Sequence, residues 1–162
     1  MVSPELLRRY PFFAGLTREQ LLSLTWIAHI EIYEKGDKLF CQDEPATRLY
    51  LLVDGQVIVF IEFDHELETI TNIEQGGIFG WSAMVAPFVR TGTAQCTVAS
   101  EVIGFEAEAL RRLMAADGQL GCLLMGRVAQ VVAARLRDAY VHLASLTPVY
   151  HAAEQPSMIS WS

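Results

Sequence analysis

Apolar positions change period twice along the chain, and those changes divide it. In the first 28 residues they crowd at helical spacing: Leu6 and Leu7 in one short segment, then Leu21, Leu22, Leu24 and Trp26 in a second. Thr17 with Gln20 three residues on has the reciprocal pattern that caps a helix, so the second helix is predicted over 17–28. From 30 to 105 the pattern shortens to strands broken by turn-forming residues. Ile30-Glu31-Ile32-Tyr33 alternates, 34–38 is a turn, and Leu39-Phe40-Cys41 is a short strand. Residues 49–53 form a nearly continuous apolar strand closed by Asp54-Gly55, which together with 56–63 predicts a hairpin. A second tip at Asp64-His65-Glu66 leads into 67–73, and 93–100 with 101–105 reads as a final strand pair. About eight short, evenly spaced strands point to a sandwich, barrel or jelly roll.

Helical spacing returns after Phe105. Residues 108–114 make a short helix, Gly118 breaks it, and 119–146 make a long one of ~42 Å at the standard rise. Within it Val132, Leu136, Ala139, Leu143 and Leu146 repeat at coiled-coil spacing. The stripe serves either a homodimer interface or the helix's own β-domain, and the helix length favours the dimer. The expected organisation is a domain over 1–118, a dimerisation helix over 119–146 and a tail over 147–162 without clear period.

The 52% hydrophobic and 19% charged content describe a globular protein with apolar surface to spare for an interface. A formal charge of -7 with only two lysines, Lys35 and Lys38, disfavours non-specific attraction to nucleic acid. No apolar run suits a membrane span and the N-terminus has no signal-peptide pattern, so no membrane partner and a cytoplasmic location are expected. Cys41, Cys96 and Cys122 are odd in number and widely separated, which argues for buried thiols over disulfides or zinc. His29, His65, His142 and His151 lack metal-ligand spacing, and Ser82 has no base near it in sequence. Neither a metal nor catalysis is expected.

The richest stretch chemically is 76–94. Gly76, Gly77 and Gly80 mark a backbone that turns with positive φ or runs close to something else. A helical run over 81–85 follows, whose free N–H groups suit an anion, and Pro87 stops it. Arg90 is the only cation in the stretch. A Gly-rich β-turn with a surface arginine is the plainer alternative. Whether Arg90 turns inward is left open by the sequence.

This order of elements resembles the cyclic nucleotide-binding domain of the catabolite activator and FNR-type regulators, in a single-domain form. Residues 11–17 are similar to that family's opening, 33–40 to its first β-turn and 49–57 to its central hairpin. The resemblance implies an α+β, mainly β fold: an eight-stranded β-roll (double-stranded β-helix, or jelly roll) flanked by N-terminal helices and a long C-terminal helix. It also makes 76–94 the phosphate-binding cassette. Gly80, Trp81, Ser82, Ala83, Arg90, Thr91, Thr93 and Ala94 are then the ligand-binding positions, for a small anion such as cyclic AMP (cAMP) or cyclic GMP (cGMP). Two departures fall on ligand contacts. Trp81 stands where the family has a ribose-binding glutamate, and an indole cannot accept a hydrogen bond. Gly92 stands where the family arginine precedes the Thr93-Ala94 pair. Trp81 either stacks on a base or fills the pocket. The sixteen residues after Leu146 contain no Lys or Arg, so no DNA-reading motif is expected and the output passes to a protein partner. The two functional expectations are a sensor that signals through its C-terminal helix and a degenerate dimerisation or interaction module.

Overall fold

A computed structural model describes residues 1–146. Eight strands form two antiparallel four-stranded sheets. β1 (Ala28–Tyr33), β8 (Ser100–Glu106), β3 (Arg48–Asp54) and β6 (Ile78–Phe79) make the first, in that order. β2 (Lys38–Phe40), β7 (Thr93–Cys96), β4 (Val57–Phe63) and β5 (Glu66–Ile73) make the second. The helices are α1 (Pro4–Arg8), α2 (Arg18–Thr25), α3 (Ala107–Ala116) and α4 (Gly118–Leu146), with 3-10 turns at Pro11–Phe13 and Trp81–Met84. This is the expected β-roll with flanking helices.

The first sheet is apolar on both faces because it is the middle layer. Tyr50, Leu52, Phe79 and Val102 point at the second sheet, where Val57, Ile73, Ala94 and Cys96 meet them. Leu49, Leu51, Ile103 and Phe105 point the other way, onto Phe13, Leu21 and Leu24 and onto Leu120, Leu124 and Val128 of α4. The unbroken apolar run at 49–53 therefore reads correctly as a strand, and its lack of alternation reports burial on both sides.

Local signals at the chain's start act as written. Thr17 accepts from the Gln20 N–H at 3.1 Å while the Gln20 side chain accepts from the Thr17 N–H at 2.9 Å. The helix they start is shorter than predicted: α2 ends at Thr25, because Ala28 is already paired with Phe105 in the first sheet. Of the apolar residues crowded there, Leu21 and Leu24 are buried while Trp26 is 80% exposed.

Two expected strand pairs do not form. β3 and β4 lie in different sheets, so Asp54-Gly55 hands the chain across the sandwich instead of closing a hairpin. The reason is burial: Leu52 and Val57 enter the same core from opposite sheets. β7 and β8 are separated in the same way. The true hairpin joins β4 and β5 through Asp64 and His65, both left-handed at φ 50° and 66°, the geometry of a two-residue primed turn.

α4 reaches beyond the helical core but stays on its own domain. Its inward face is apolar through Leu124 and Val128 and then turns polar. Asp138 accepts from the Thr71 hydroxyl of β5 at 3.0 Å, and His142 lies 3.1 Å from Glu68 on the same strand. Length does not carry this half of the helix clear of the β-roll. Of the predicted stripe, Val132 and Ala139 are half-buried, while Leu136, Leu143 and Leu146 are exposed. Cys96 is buried as expected, Cys41 is half-buried, and Cys122 on α4 is exposed, contrary to the expectation of a buried thiol.

Candidate functional site

The cassette begins where β6 ends. Gly80 adopts φ 77° and turns the chain into the 3-10 turn Trp81–Met84, one residue shorter than the predicted helical run. After the turn, residues 85–92 fold back and are pinned to the segment before β3. The Asp43 N–H donates to the Arg90 carbonyl at 2.9 Å, the Arg90 N–H to Glu44 at 2.8 Å and the Ala46 N–H to Phe88 at 2.8 Å. This ribbon fixes the direction of the Arg90 side chain.

Arg90 turns inward and is 2% exposed. Nη1 donates to the Gly80 carbonyl at 2.9 Å and Nη2 to the Arg48 carbonyl at 2.6 Å. The guanidinium carbon lies 3.9 Å from the Phe40 ring centre, beside a stack formed by Phe40, Tyr50 and Phe79. Nε is buried without a hydrogen-bond partner among the described residues. Burial pulls the guanidinium down to about 10, with Tyr50 and Glu44 opposing that pull. It remains a cation at neutral pH, held by main-chain carbonyls and an aromatic face.

The cavity beside the turn measures about 30 Å³, and its lining includes Phe40, Phe79, Gly80, Trp81, Ser82 and Arg135. That is room for a water, against the ~300 Å³ or more of ordinary small-molecule pockets. Trp81 is half-buried and packs against the helical core. Ser82 is buried, and Ala83 sits with Ala46 and Ala107 in a small core of its own. Thr93 is buried with its hydroxyl accepting from the Gln42 N–H at 2.9 Å, and Ala94 is wholly inside the inter-sheet core. Gly92 has no room for a side chain on this backbone, because a Cβ there would lie 2.9 Å from the Phe60 carbonyl oxygen. Gly80, Trp81, Ser82, Thr91 and Gly92 thus meet at one cavity, with Arg90 immediately behind its Gly80–Phe40 wall.

Two arginines outside the sequence motif also reach the cassette. Arg111 of α3 donates to the Ala83 carbonyl at 2.6 Å and lies 4.2 Å over the Phe88 ring. Arg135 of α4 reaches the cavity itself and donates to the Ile78 carbonyl at 3.3 Å and to Asp138 at 3.4 Å. Burial lowers its affinity for the proton, while Asp138 raises it. Neither arginine carries a local sequence signal. The one trace is that Arg135, Asp138 and His142 continue the 3-4 spacing of Leu120, Leu124, Val128 and Val131 after that stripe has ceased to be apolar.

The family model of the cyclic nucleotide-binding domain matches residues 30–117, from Ile30 within β1 through α3. The chain belongs to the cyclic nucleotide-binding domain family. A protein of Geobacter metallireducens GS-15, provisionally assigned as cyclic nucleotide-binding, superposes with a TM-score of 0.77 at 35% identity, over 84% of this chain and 99% of that one. The CRP-like cAMP-activated global transcriptional regulator of Mycobacterium tuberculosis is 26% identical over 143 residues, 88% of this chain and 62% of that protein. This chain therefore spans less than two thirds of that regulator's length. The catabolite activator protein of Thermus thermophilus superposes with a TM-score of 0.68 at 25% identity, over 84% of this chain and 62% of that one.

No acceptor stands at position 81, no side chain fits at position 92, and the cavity in this arrangement does not admit a cyclic nucleotide. Among the described residues no group of three or more His, Cys, Asp or Glu side chains is placed to hold a metal. No helix among them is long and apolar enough to cross a membrane.

Proposed function

We propose that this protein is a cytoplasmic regulatory domain that senses a small anionic ligand at the cassette and passes its state to a partner through α4. The observation that carries the reading is the pair of desolvated guanidiniums at the cassette, Arg90 and Arg135. Asp138 is the only carboxylate bonded to either among the described residues, in a chain of net charge -7. Burying cations is costly unless an anion shares the site. The three-way contact of turn, α3 and α4 through Arg111 and Arg135 supplies a route by which opening the cassette would shift the helices. Such a shift follows only from a ligand that prefers one pose to the other. The outward stripe of α4 is the surface we assign to a homodimer or a protein partner.

A second reading rests on the cavity size. With Trp81 packed and about 30 Å³ left, the domain would act as an interaction module without a ligand. Isothermal titration with cAMP, cGMP and inorganic phosphate separates the two. Saturable binding of any of them, with displacement of α4 reported by amide exchange, supports the sensor. Absence of binding at millimolar concentration for all three leaves the interaction module.

A further inference from the structure

Arg90 is placed by sequence pattern in the role of anion contact, yet its geometry is that of a structural brace. Both terminal nitrogens are taken by main-chain carbonyls at 2.9 and 2.6 Å, the plane is covered by Phe40, and the side chain is sealed from solvent. Pulling it towards a ligand would break its 2.6 Å bond to the Arg48 carbonyl and leave the Gly80 carbonyl with the Ala83 N–H alone, at 3.2 Å, and buried acceptors are costly to leave unpaired. Gly92 cannot substitute for it, since the Phe60 carbonyl stands where a side chain would begin.

Arg135 has the opposite character. Its two bonds, at 3.3 and 3.4 Å, are longer than well-made N–H···O bonds and therefore weakly held. It lines the cassette cavity on one side. On the other it lines a groove of about 260 Å³ that lies between α4, Phe12 and the Gly76 turn and is also bordered by Arg127. Its side chain keeps 23% of its surface exposed. The carboxylate it would leave is already provided for, because Asp138 also accepts from the Thr71 hydroxyl at 3.0 Å. Arg135 thus gives up two longer, weaker bonds, one of them to a carboxylate that keeps a second donor, whereas Arg90 would give up two shorter ones.

We infer that Arg135 of α4, and not Arg90, is the residue that takes the anion. It leaves the Ile78 carbonyl and Asp138 for the anionic group of a ligand that opens the cavity between Phe40, Phe79 and Trp81, with the Ser82 and Thr91 hydroxyls as further donors. Because Arg135 sits on α4, taking the anion and loosening the helix from β5 are one event. This deepens the sensor reading and depends on it.

The test uses the full chain carrying Trp26→Phe and Trp161→Phe, so that emission reports Trp81 alone. Inorganic phosphate, cAMP and cGMP are titrated into this parent and into its Arg135→Gln, Arg135→Lys and Asp138→Asn forms. The expected result is a dissociation constant at least tenfold weaker in Arg135→Gln, substantially recovered in Arg135→Lys. Asp138→Asn, which removes the competing carboxylate, is expected to bind several-fold tighter. Unchanged affinity in Arg135→Gln overturns the inference and leaves the sensor reading standing. If Arg135→Gln does not fold, unchanged or weaker affinity in Asp138→Asn overturns it equally. A parent that binds none of the three overturns the inference and the sensor reading together.

Discussion

Replacing Gly80 by alanine tests whether the Arg90 brace is as rigid as its geometry implies. Gly80 sits at φ 77°, where an added Cβ would lie 2.8 Å from Arg90 Nη1 and 3.2 Å from both the Arg48 carbonyl oxygen and the Tyr50 ring. A left-handed residue with a Cβ costs ~1–2 kcal/mol by itself. Losing one charge-assisted bond as the guanidinium is pushed aside adds ~1.5–3 kcal/mol, since neither the ring stack nor the carbonyl can yield instead. Gly76 is the internal control. It has φ 84°, but its Cβ would meet the Tyr10 ring at an ordinary 3.7 Å, so Gly76→Ala carries only the backbone term. Urea unfolding at neutral pH is therefore expected to show Gly80→Ala less stable than Gly76→Ala by ~1.5–3 kcal/mol. In thermal melts the same difference appears as roughly 3–12 °C. Equal losses in the two variants would mean that Arg90 swings away freely, and the brace would be refuted.

Three further outcomes are expected. Gly126 lies inside α4 with nothing within 4 Å of an added Cβ, so Gly126→Ala gains ~0.5–1 kcal/mol in urea unfolding. Tyr33 is pushed above the ordinary tyrosine range by burial first and then by its hydrogen bond to Glu31. Above pH ~10 the unfolded chain loses that proton while the folded one keeps it, so stability falls with rising pH. Tyr33→Phe flattens this decline in melts between about pH 9.5 and 11, while the opposite contribution of Arg90 stays unchanged. Asp117 starts α4, accepting from the Gln119 and Leu120 N–H groups at 3.1 Å and from the Gln20 side chain at 2.9 Å. The Gln20 bond, then the Leu120 N–H, hold its carboxyl below the usual range. The stability this gives is present above the ordinary carboxylate value and is lost as pH falls through the folded one. Asp117→Asn accordingly lowers the melting temperature at pH 7, and the difference shrinks below pH ~4.

The sequence by itself determined the elements whose signals close within a few residues: the Thr17–Gln20 cap, the tip at Asp64 and His65, every strand but the two-residue β6, and both C-terminal helices. It also carried the family, through stretches whose spacing is kept across the β-roll, and it placed Gly80, Trp81 and Ser82 at one turn. Only the tertiary structure decided what those elements meet. Asp54-Gly55 looks like a hairpin locally, and only the shared burial of Leu52 and Val57 sends the two strands to different sheets. The inward turn of Arg90 depends on a ribbon to residues 43–46 and on an Arg48 carbonyl 42 positions away. Arg111 and Arg135 reach the cassette across 28 and 57 positions. Local propensity fixes backbone shape because its contacts are near in sequence. A binding site is made by side chains that become neighbours only after the core has packed, which is why the cassette's outline and Arg90 were legible while the facing of Arg90 and the arrival of Arg111 and Arg135 were not.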